Sequence, residues 1–229
     1  LSELESSRRE FVANVSHELR SPITSIRGFV EGMEDGTIPP QEHGKYLHIV
    51  GDETKRLSKL INDLLSLSRL EREDAQLQLT DFDMNEMLRR AVIRRMNDLD
   101  QKHMEVETDF RLDPCMVHAD SDRMEQVVVN LLDNAIKFSA EGETLGIGVA
   151  AKGGKAYISV RNVGETIPPE ELPLVFDRFH KTDHSRSEDR DGVGLGLYIV
   201  KTILNSHKEN ITCESQDGKT TFTFTLTRA

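Results

Sequence analysis

The sequence predicts two units in series: a helical hairpin that pairs with a second copy into a four-helix bundle, then an α/β sandwich with helices on one face of a mixed sheet. Three observations carry this fold class. Apolar residues recur at helical spacing through the first 70 residues, with one break. A polar, aperiodic stretch follows from Glu71 to Gln78. After it, β-type and helical segments interleave without strict alternation. Residues 1–70 are therefore the first unit, 71–78 a linker and 79–229 the second unit.

Leu1, Leu4, Phe11, Val15, Leu19, Ile23, Ile26 and Val30 recur at steps of three, four and seven, the spacing of one helix face. No capping residue precedes Leu1, so this helix is expected to continue from a preceding segment. Gly36, Pro39 and Pro40 break the pattern. A second helix is predicted from Gln41 to Arg69, with Val50, Leu57, Leu60, Ile61, Leu64 and Leu67 on its stripe. A lone hairpin leaves half of such stripes wet, so dimerisation through residues 1–70 is expected. In the second unit, strands are predicted at 77–82, 105–110, 145–150, 156–161, 211–214 and 221–227. Helices are predicted at 84–102 (begun by Asp83), 121–138 and 194–205. Gly153-Gly154 and Asp217-Gly218 supply hairpin turns.

The 229 residues carry 29 basic and 40 acidic side chains, a formal charge of −11, and the chain from Glu71 onward holds −9 of it. An acidic chain repels a phosphate backbone, which argues against nucleic acid as a partner. No apolar run approaches the roughly 18 residues that cross a bilayer. Cys115 and Cys213 have no CxxC-type neighbours, so neither a disulfide framework nor a cysteine-rich zinc site is expected. A reducing compartment is the default reading.

Four segments carry candidate chemistry. In Phe11–Pro22, His17 lies two residues from Leu19, about 200° around the helix and off the apolar stripe. A histidine beside a carboxylate, Glu18, can be nucleophilic if the carboxylate takes or orients the ring proton. Pro22 should bend the helix nearby. Taken alone, an ordinary surface histidine beside a kink is the better reading of these residues. In Glu125–Phe138, Asn130, Asn134 and Lys137 are four and three residues apart and share a helix face. Amide oxygens suit Mg²⁺ and an ammonium suits phosphate, although a plain polar helix face gives the same pattern. Gly192, Gly194 and Gly196 lead into an apolar helix whose amides can receive phosphates. Neither GxGxxG nor the P-loop lysine is present, which argues against both common nucleotide folds. The fourth segment runs from Val160 to Pro168 and is followed by Phe176-Asp-Arg-Phe179. Between Phe179 and Gly192 lies a polar stretch expected to act as a mobile lid. His180 and His184 are spaced like a metal pair but have no third ligand, so a solvated face is the better reading.

It is the order of these segments that is specific. Taken together, the chain resembles the cytoplasmic kinase core of bacterial two-component sensor histidine kinases over essentially its whole length. His17-Glu-Leu-Arg-Ser-Pro resembles the family's H box and Asn130–Lys137 its N box. Asn162–Ile167 resembles the first glycine box, Phe176–Phe179 the F box and Gly192–Gly196 the second glycine box. The resemblance implies a dimeric phosphotransfer hairpin and a Bergerat-type ATP-binding domain using ATP and Mg²⁺. It implies that His17 accepts the γ-phosphoryl group with Glu18 assisting as base, and that Asn134 holds Mg²⁺ with Asn130 and Lys137 near the triphosphate. Asn162, Gly164 and Ile167 would meet adenine, Phe179 would adjoin the nucleotide, and Gly192, Gly194 and Gly196 would flank the phosphates. It further implies transfer to an aspartate of a response regulator, and a cytoplasmic location below a membrane anchor.

Three positions in two motifs depart from the family pattern. Asn162 and Thr166 stand where the first glycine box usually has aspartate and a second glycine, which points to altered ATP binding. Ser21 stands where members with phosphatase activity usually have Thr or Asn; its hydroxyl is still able to orient a water. Two rival readings remain at this point. One is an ATP-dependent machine of the same nucleotide-binding superfamily, against which residues 11–22 count. The other is a scaffold whose Asn162 and Thr166 have abolished nucleotide binding.

Overall fold

The computed structural model describes residues 2–70, 76–181 and 193–229, with the side chains of the first helix from Arg9 onward. Helices α1 (Ser2–Glu34) and α2 (His43–Leu70) form the hairpin. Pro39 is extended and Pro40 opens a single 3₁₀ turn, Pro40–Glu42, before α2 begins. Phe29 and Tyr46 close this end of the hairpin with ring centroids 5.1 Å apart. Pro22 is buried and α1 runs through it as one continuous helix. Val12, Ile23 and Val30 on α1, with Leu47, Ile61 and Leu65 on α2, remain exposed. The hairpin thus keeps an uncovered apolar face. No helix among the described residues is long and apolar enough to cross a membrane.

The second unit opens with β1 (Leu79–Asp83), α3 (Met84–Ile93), α4 (Met96–Gln101), β2 (Glu105–Phe110) and β3 (Met116–Asp120). It continues with α5 (Ser121–Phe138), β4 (Thr144–Lys152), β5 (Lys155–Val163), α6 (Gly196–Ser206), β6 (Ile211–Gln216) and β7 (Lys219–Thr227). The main sheet has the order β2-β4-β5-β7-β6, and β1 pairs with β3 in a small second sheet. Only β2 and β4 run parallel; the other pairs are antiparallel. Alternate residues Leu145, Ile147 and Val149, then Ala156, Ile158 and Val160, then Phe222, Phe224 and Leu226 face the helices and are essentially fully buried. Val127, Val128, Leu131, Leu132, Ile199, Val200, Ile203 and Leu204 meet them from α5 and α6.

The structure corrects three sequence-based expectations. The predicted helix 84–102 is two helices, because the chain turns at Arg94 and Arg95. Arg95 Nε reaches Asp133 Oδ1 at 2.6 Å and its Nη1 the carbonyl of Ala91, while the break lets Leu99 bury. Asp83 caps the first of them as expected, accepting from the amide of Asn85 at 3.0 Å. Strand β3 was not anticipated; its five residues bury only Val117, Ala119 and Asp120 against the core. The last long helix begins at Gly196, not Gly194, because Gly194 has φ +75°, outside the helical region.

The hairpin packs against the second unit. Leu60 belongs to the same buried cluster as the sheet, with Leu19, Leu64 and Leu70 against it. Phe11 meets Phe179 at 5.7 Å, Ser66 exchanges hydrogen bonds with Gln126, and Lys59 pairs with Asp133 at 3.8 Å.

Candidate functional site

A cavity of about 900 Å³ opens between α5, the end of β5, the start of α6 and one face of α2. That size suits a nucleotide-sized ligand. Of the residues singled out from sequence, Asn130, Asn134, Lys137, Asn162, Gly164, Ile167, Gly194 and Gly196 line it. Gly192 and His184 lie outside the described residues, as does the stretch expected as a lid between Phe179 and Gly192 beyond its first two residues, His180 and Lys181.

The helical register of α5 explains the first three. Its apolar face is fully buried on the sheet, so the face bearing Asn130, Asn134 and Lys137 turns to the cavity. Asn130 Nδ2 donates to the carbonyl of Gly196 at 3.4 Å, which joins α5 to the first turn of α6. Lys102 holds the other end of α5. Its ammonium donates to the carbonyls of Ile136, Lys137 and Ser139 at 2.7–2.8 Å, where a helix C-terminus favours a cation.

The buried end of the cavity is built where α5 meets β5. Asn162 is 3% exposed, and its Nδ2 donates to the carbonyl of Phe138 at 3.4 Å. That bond fixes the amide and leaves Oδ1 as the acceptor, the function an aspartate would supply with a charge. An aspartate here would set a carboxylate oxygen against the Phe138 carbonyl. Gly164 is required sterically, since a Cβ there would lie 2.2 Å from the Phe138 carbonyl oxygen. Thr166 does not have positive φ, so no glycine is needed there. Its hydroxyl accepts from the amide of Gly218 at 2.8 Å and steadies the β6–β7 turn. The amide of Ile167 donates to Ser215 Oγ at 2.8 Å, which holds Ile167 against the cavity.

Phe179 is not among the lining residues. It has φ +59°, donates its amide to the Gly194 carbonyl at 2.9 Å and turns its ring to Phe11 of α1. Arg178 lies 5.4 Å from the Phe11 ring and 4.6 Å from that of Tyr198, whose hydroxyl accepts from Nη2 at 2.6 Å. Gly194 and Phe179 are so close that a Cβ on Gly194 would meet the Phe179 carbonyl carbon at 2.8 Å. Phe176 is buried against Phe222, and His180 pairs with Glu171 at 2.9 Å.

His17 sits on α1 outside the cavity wall, with 82% of its side chain exposed and its Nδ1 4.0 Å from Glu18 Oε1. Ser21 is exposed one turn further along. Glu18 Oε2 accepts from Arg56 Nη2 at 3.1 Å. Arg56, Lys59 and Asp63, which the sequence reading did not single out, line the cavity from α2. Their i, i+3, i+7 spacing on a helix with an apolar stripe was the available signal. Burial pushes the Asp63 carboxyl above its ordinary range; Asp133 adds to the rise and Lys59 opposes it. Lys102, Thr220 and Phe222 also line the cavity and carried no sequence signal.

As a metal site the cavity offers hard oxygen donors, the Asn130 and Asn134 amides and dispersed carboxylates such as Asp63 and Asp133 among them, but no group of three or more His, Cys, Asp or Glu side chains able to hold a metal among the described residues. This fits Mg²⁺, which takes one or two protein ligands and completes its shell with water and phosphate oxygens. It does not fit a dedicated protein cage.

Comparison with known proteins gives two family matches. Residues 7–73 match the His Kinase A (phospho-acceptor) domain, and residues 119–229 match the histidine kinase-, DNA gyrase B- and HSP90-like ATPase family. The sensor histidine kinase WalK of Bacillus subtilis is 36% identical over 227 residues, 97% of this chain and 37% of WalK. The sensor protein SrrB of Staphylococcus aureus (strain MRSA252) is 35% identical over 225 residues, 97% of this chain and 38% of SrrB. The chain therefore spans well under half the length of these relatives. Among solved structures, the Acinetobacter baumannii histidine kinase AdeS superposes with a TM-score of 0.76 at 29% identity, covering 93% of this chain and 98% of that one. Histidine kinase ThkA, in complex with the response regulator TrrA, gives a TM-score of 0.82 at 28% identity, covering 100% of this chain and 64% of that one.

Proposed function

The chain belongs to the two-component sensor histidine kinases, and on that premise we propose that it autophosphorylates His17 from Mg-ATP and passes the phosphoryl group to an aspartate of a response regulator. The observation that carries this is one cavity lined by Asn130, Asn134, Lys137, Asn162 and Gly164, walled on one side by the hairpin that bears His17. Asn162 Oδ1 accepts from the exocyclic amine of adenine, Gly164 lets β5 close against the Phe138 carbonyl so that this acceptor is held in place, and Ile167 lies along the edge of the ring. Lys137 and the backbone at Gly194 and Gly196 face the phosphates; Gly192 has the same role in the unit's sequence pattern. Asn134 would hold Mg²⁺, which when bound neutralises charge on the phosphates.

The chemistry on this chain's side is short. With the proton on Nδ1 facing Glu18, the lone pair of His17 Nε2 is the nucleophile. Attack forms the Nε2–P bond, and the bond from phosphorus to the ADP oxygen breaks with its electron pair on that oxygen. The Nδ1 proton passes to Glu18. The 4.0 Å separation of Nδ1 and Oε1 closes by about 1 Å to reach hydrogen-bonding range.

The exposed apolar face of the hairpin supports a homodimer through residues 1–70. Ser21, one turn from His17, is proposed to orient water for dephosphorylation of the regulator. The chain is further proposed to work on the cytoplasmic side of a membrane, attached to a sensing region.

The test is incubation with γ-³²P-ATP and Mg²⁺ beside His17→Gln. Acid-labile, base-stable label in the wild type and none in the variant is expected. Nucleotide hydrolysis without phosphoprotein, or no nucleotide binding by titration, overturns the proposal.

A further inference from the structure

Arg56 on α2 is placed as no simple surface ion pair would be. Its side chain is 13% exposed and lies between two carboxylates, Glu18 across the hairpin and Glu53 one turn back on α2. Nη2 donates to Glu18 Oε2 at 3.1 Å, and Nη1 lies 3.7 Å from Glu53 Oε2, a buried oxygen with no hydrogen-bond partner. One guanidinium held by two acids cannot rotate away from either without leaving a buried charge exposed to no partner. The two Glu18 oxygens are thereby divided: Oε2 is taken by Arg56, and Oε1 is the one turned to His17 Nδ1. Arg56 also lines the cavity, so a continuous chain of groups runs from the cavity wall through Arg56 and Glu18 to His17.

We infer that Arg56 is a positioning residue for His17 phosphorylation: it orients the Glu18 carboxylate so that Oε1 receives the Nδ1 proton, while Glu53 keeps the guanidinium in place. This rests on the proposed roles of His17 and Glu18. Its logic is that of a nucleophile whose base is itself aligned by a third group. A fixed carboxylate selects the imidazole tautomer with its lone pair on Nε2; a freely rotating one does not.

The experiment is a double-mutant cycle in the dimeric chain, read as the initial rate of acid-labile label from γ-³²P-ATP over a range of ATP concentrations. Arg56→Met keeps most of the side-chain volume and is expected to lower the maximal rate roughly 10- to 100-fold, as a misplaced base does, with KM for ATP unchanged. Arg56→Lys keeps the charge without the fork and is expected to recover part of that loss. In a Glu18→Gln background, Arg56→Met is expected to cost nothing further. Independent, multiplying losses overturn the inference, as does a KM for ATP that rises in step with the fall in rate. If Arg56→Met does not form a helical dimer by circular dichroism and sedimentation, the same cycle with Arg56→Lys decides the question. A Glu18→Gln variant that labels at the wild-type rate refutes the base role itself. A slow Glu18→Gln beside a full-rate Arg56→Met refutes only the part assigned to Arg56.

Discussion

Replacing Gly164 by alanine tests the construction of the buried end of the cavity. The added Cβ would sit 2.2 Å from the Phe138 carbonyl oxygen and 3.3 Å from its carbon. A relaxed carbon–oxygen contact is roughly 3.3 Å, so the overlap is about 1 Å. Neither partner yields easily, because both atoms are backbone. The Gly164 amide is tied to the Gly218 carbonyl at 2.8 Å, and the Ala140 amide to that of Val163 at 2.9 Å. Relief requires the last turn of α5 to part from β5, which also breaks the 3.4 Å bond from Asn162 to Phe138. Overpacking costs about 1–3 kcal/mol and a lost hydrogen bond about 1 kcal/mol, so the sum is roughly 2–4 kcal/mol. In a chain of this size, 3 kcal/mol lowers Tm by about 6–12 °C. The freed Asn162 amide should weaken ATP binding roughly tenfold or more, since its fixed acceptor is what reads the base. Differential scanning calorimetry gives the first quantity and isothermal titration with ATP the second. A variant with wild-type ATP affinity and a Tm within about 2 °C of wild type would show that the cavity does not depend on this contact.

Three further outcomes are expected. Glu209 is buried, and burial alone would raise its pKa; hydrogen bonds from Lys155, Thr225 and Thr227 outweigh that and lower it. Its contribution is thus present above the unfolded carboxylate range and lost as pH falls, so Glu209→Gln should cost about 2–3 kcal/mol near neutral pH, with the gap in urea midpoints closing below about pH 4. Asp63 has the opposite sign: its raised pKa favours the folded form at low pH and penalises it as pH rises through the folded value. Asp63→Asn should therefore raise Tm at neutral pH, with the gain shrinking toward about pH 4; an advantage that grows on acidification would contradict this reading. Ile23→Lys, placed on the uncovered apolar face of α1, should shift the chain from dimer to monomer in sedimentation velocity, and an unchanged dimer would locate the interface elsewhere.

Much of this arrangement was determined by local sequence. Apolar periodicity set α1, α2 and α5, and fixed the face of α5 that carries Asn130, Asn134 and Lys137, because a helix of 3.6 residues per turn leaves no freedom once one face is buried. Asp83 started α3 through its own side chain. The order of the motif segments pointed to the family and to His17 as the phosphoacceptor candidate. Local signals failed where distant contacts decide. Arg95 ends a helix early in order to reach Asp133, 38 residues away, and β3 exists because β1 is there to pair with it. Phe179 faces Phe11 of the hairpin, away from the cavity. Arg56 gained its setting from Glu18, 38 residues before it, and Asn162 from a backbone carbonyl 24 residues before it. No spacing rule records such pairings, since they form only when α2 is packed on α1 and β5 on the end of α5. The sequence by itself determined which faces were apolar and which residue types were available for phosphoryl chemistry; the tertiary structure alone decided which carboxylate oxygen faces His17, because that choice belongs to a guanidinium brought in from the other helix.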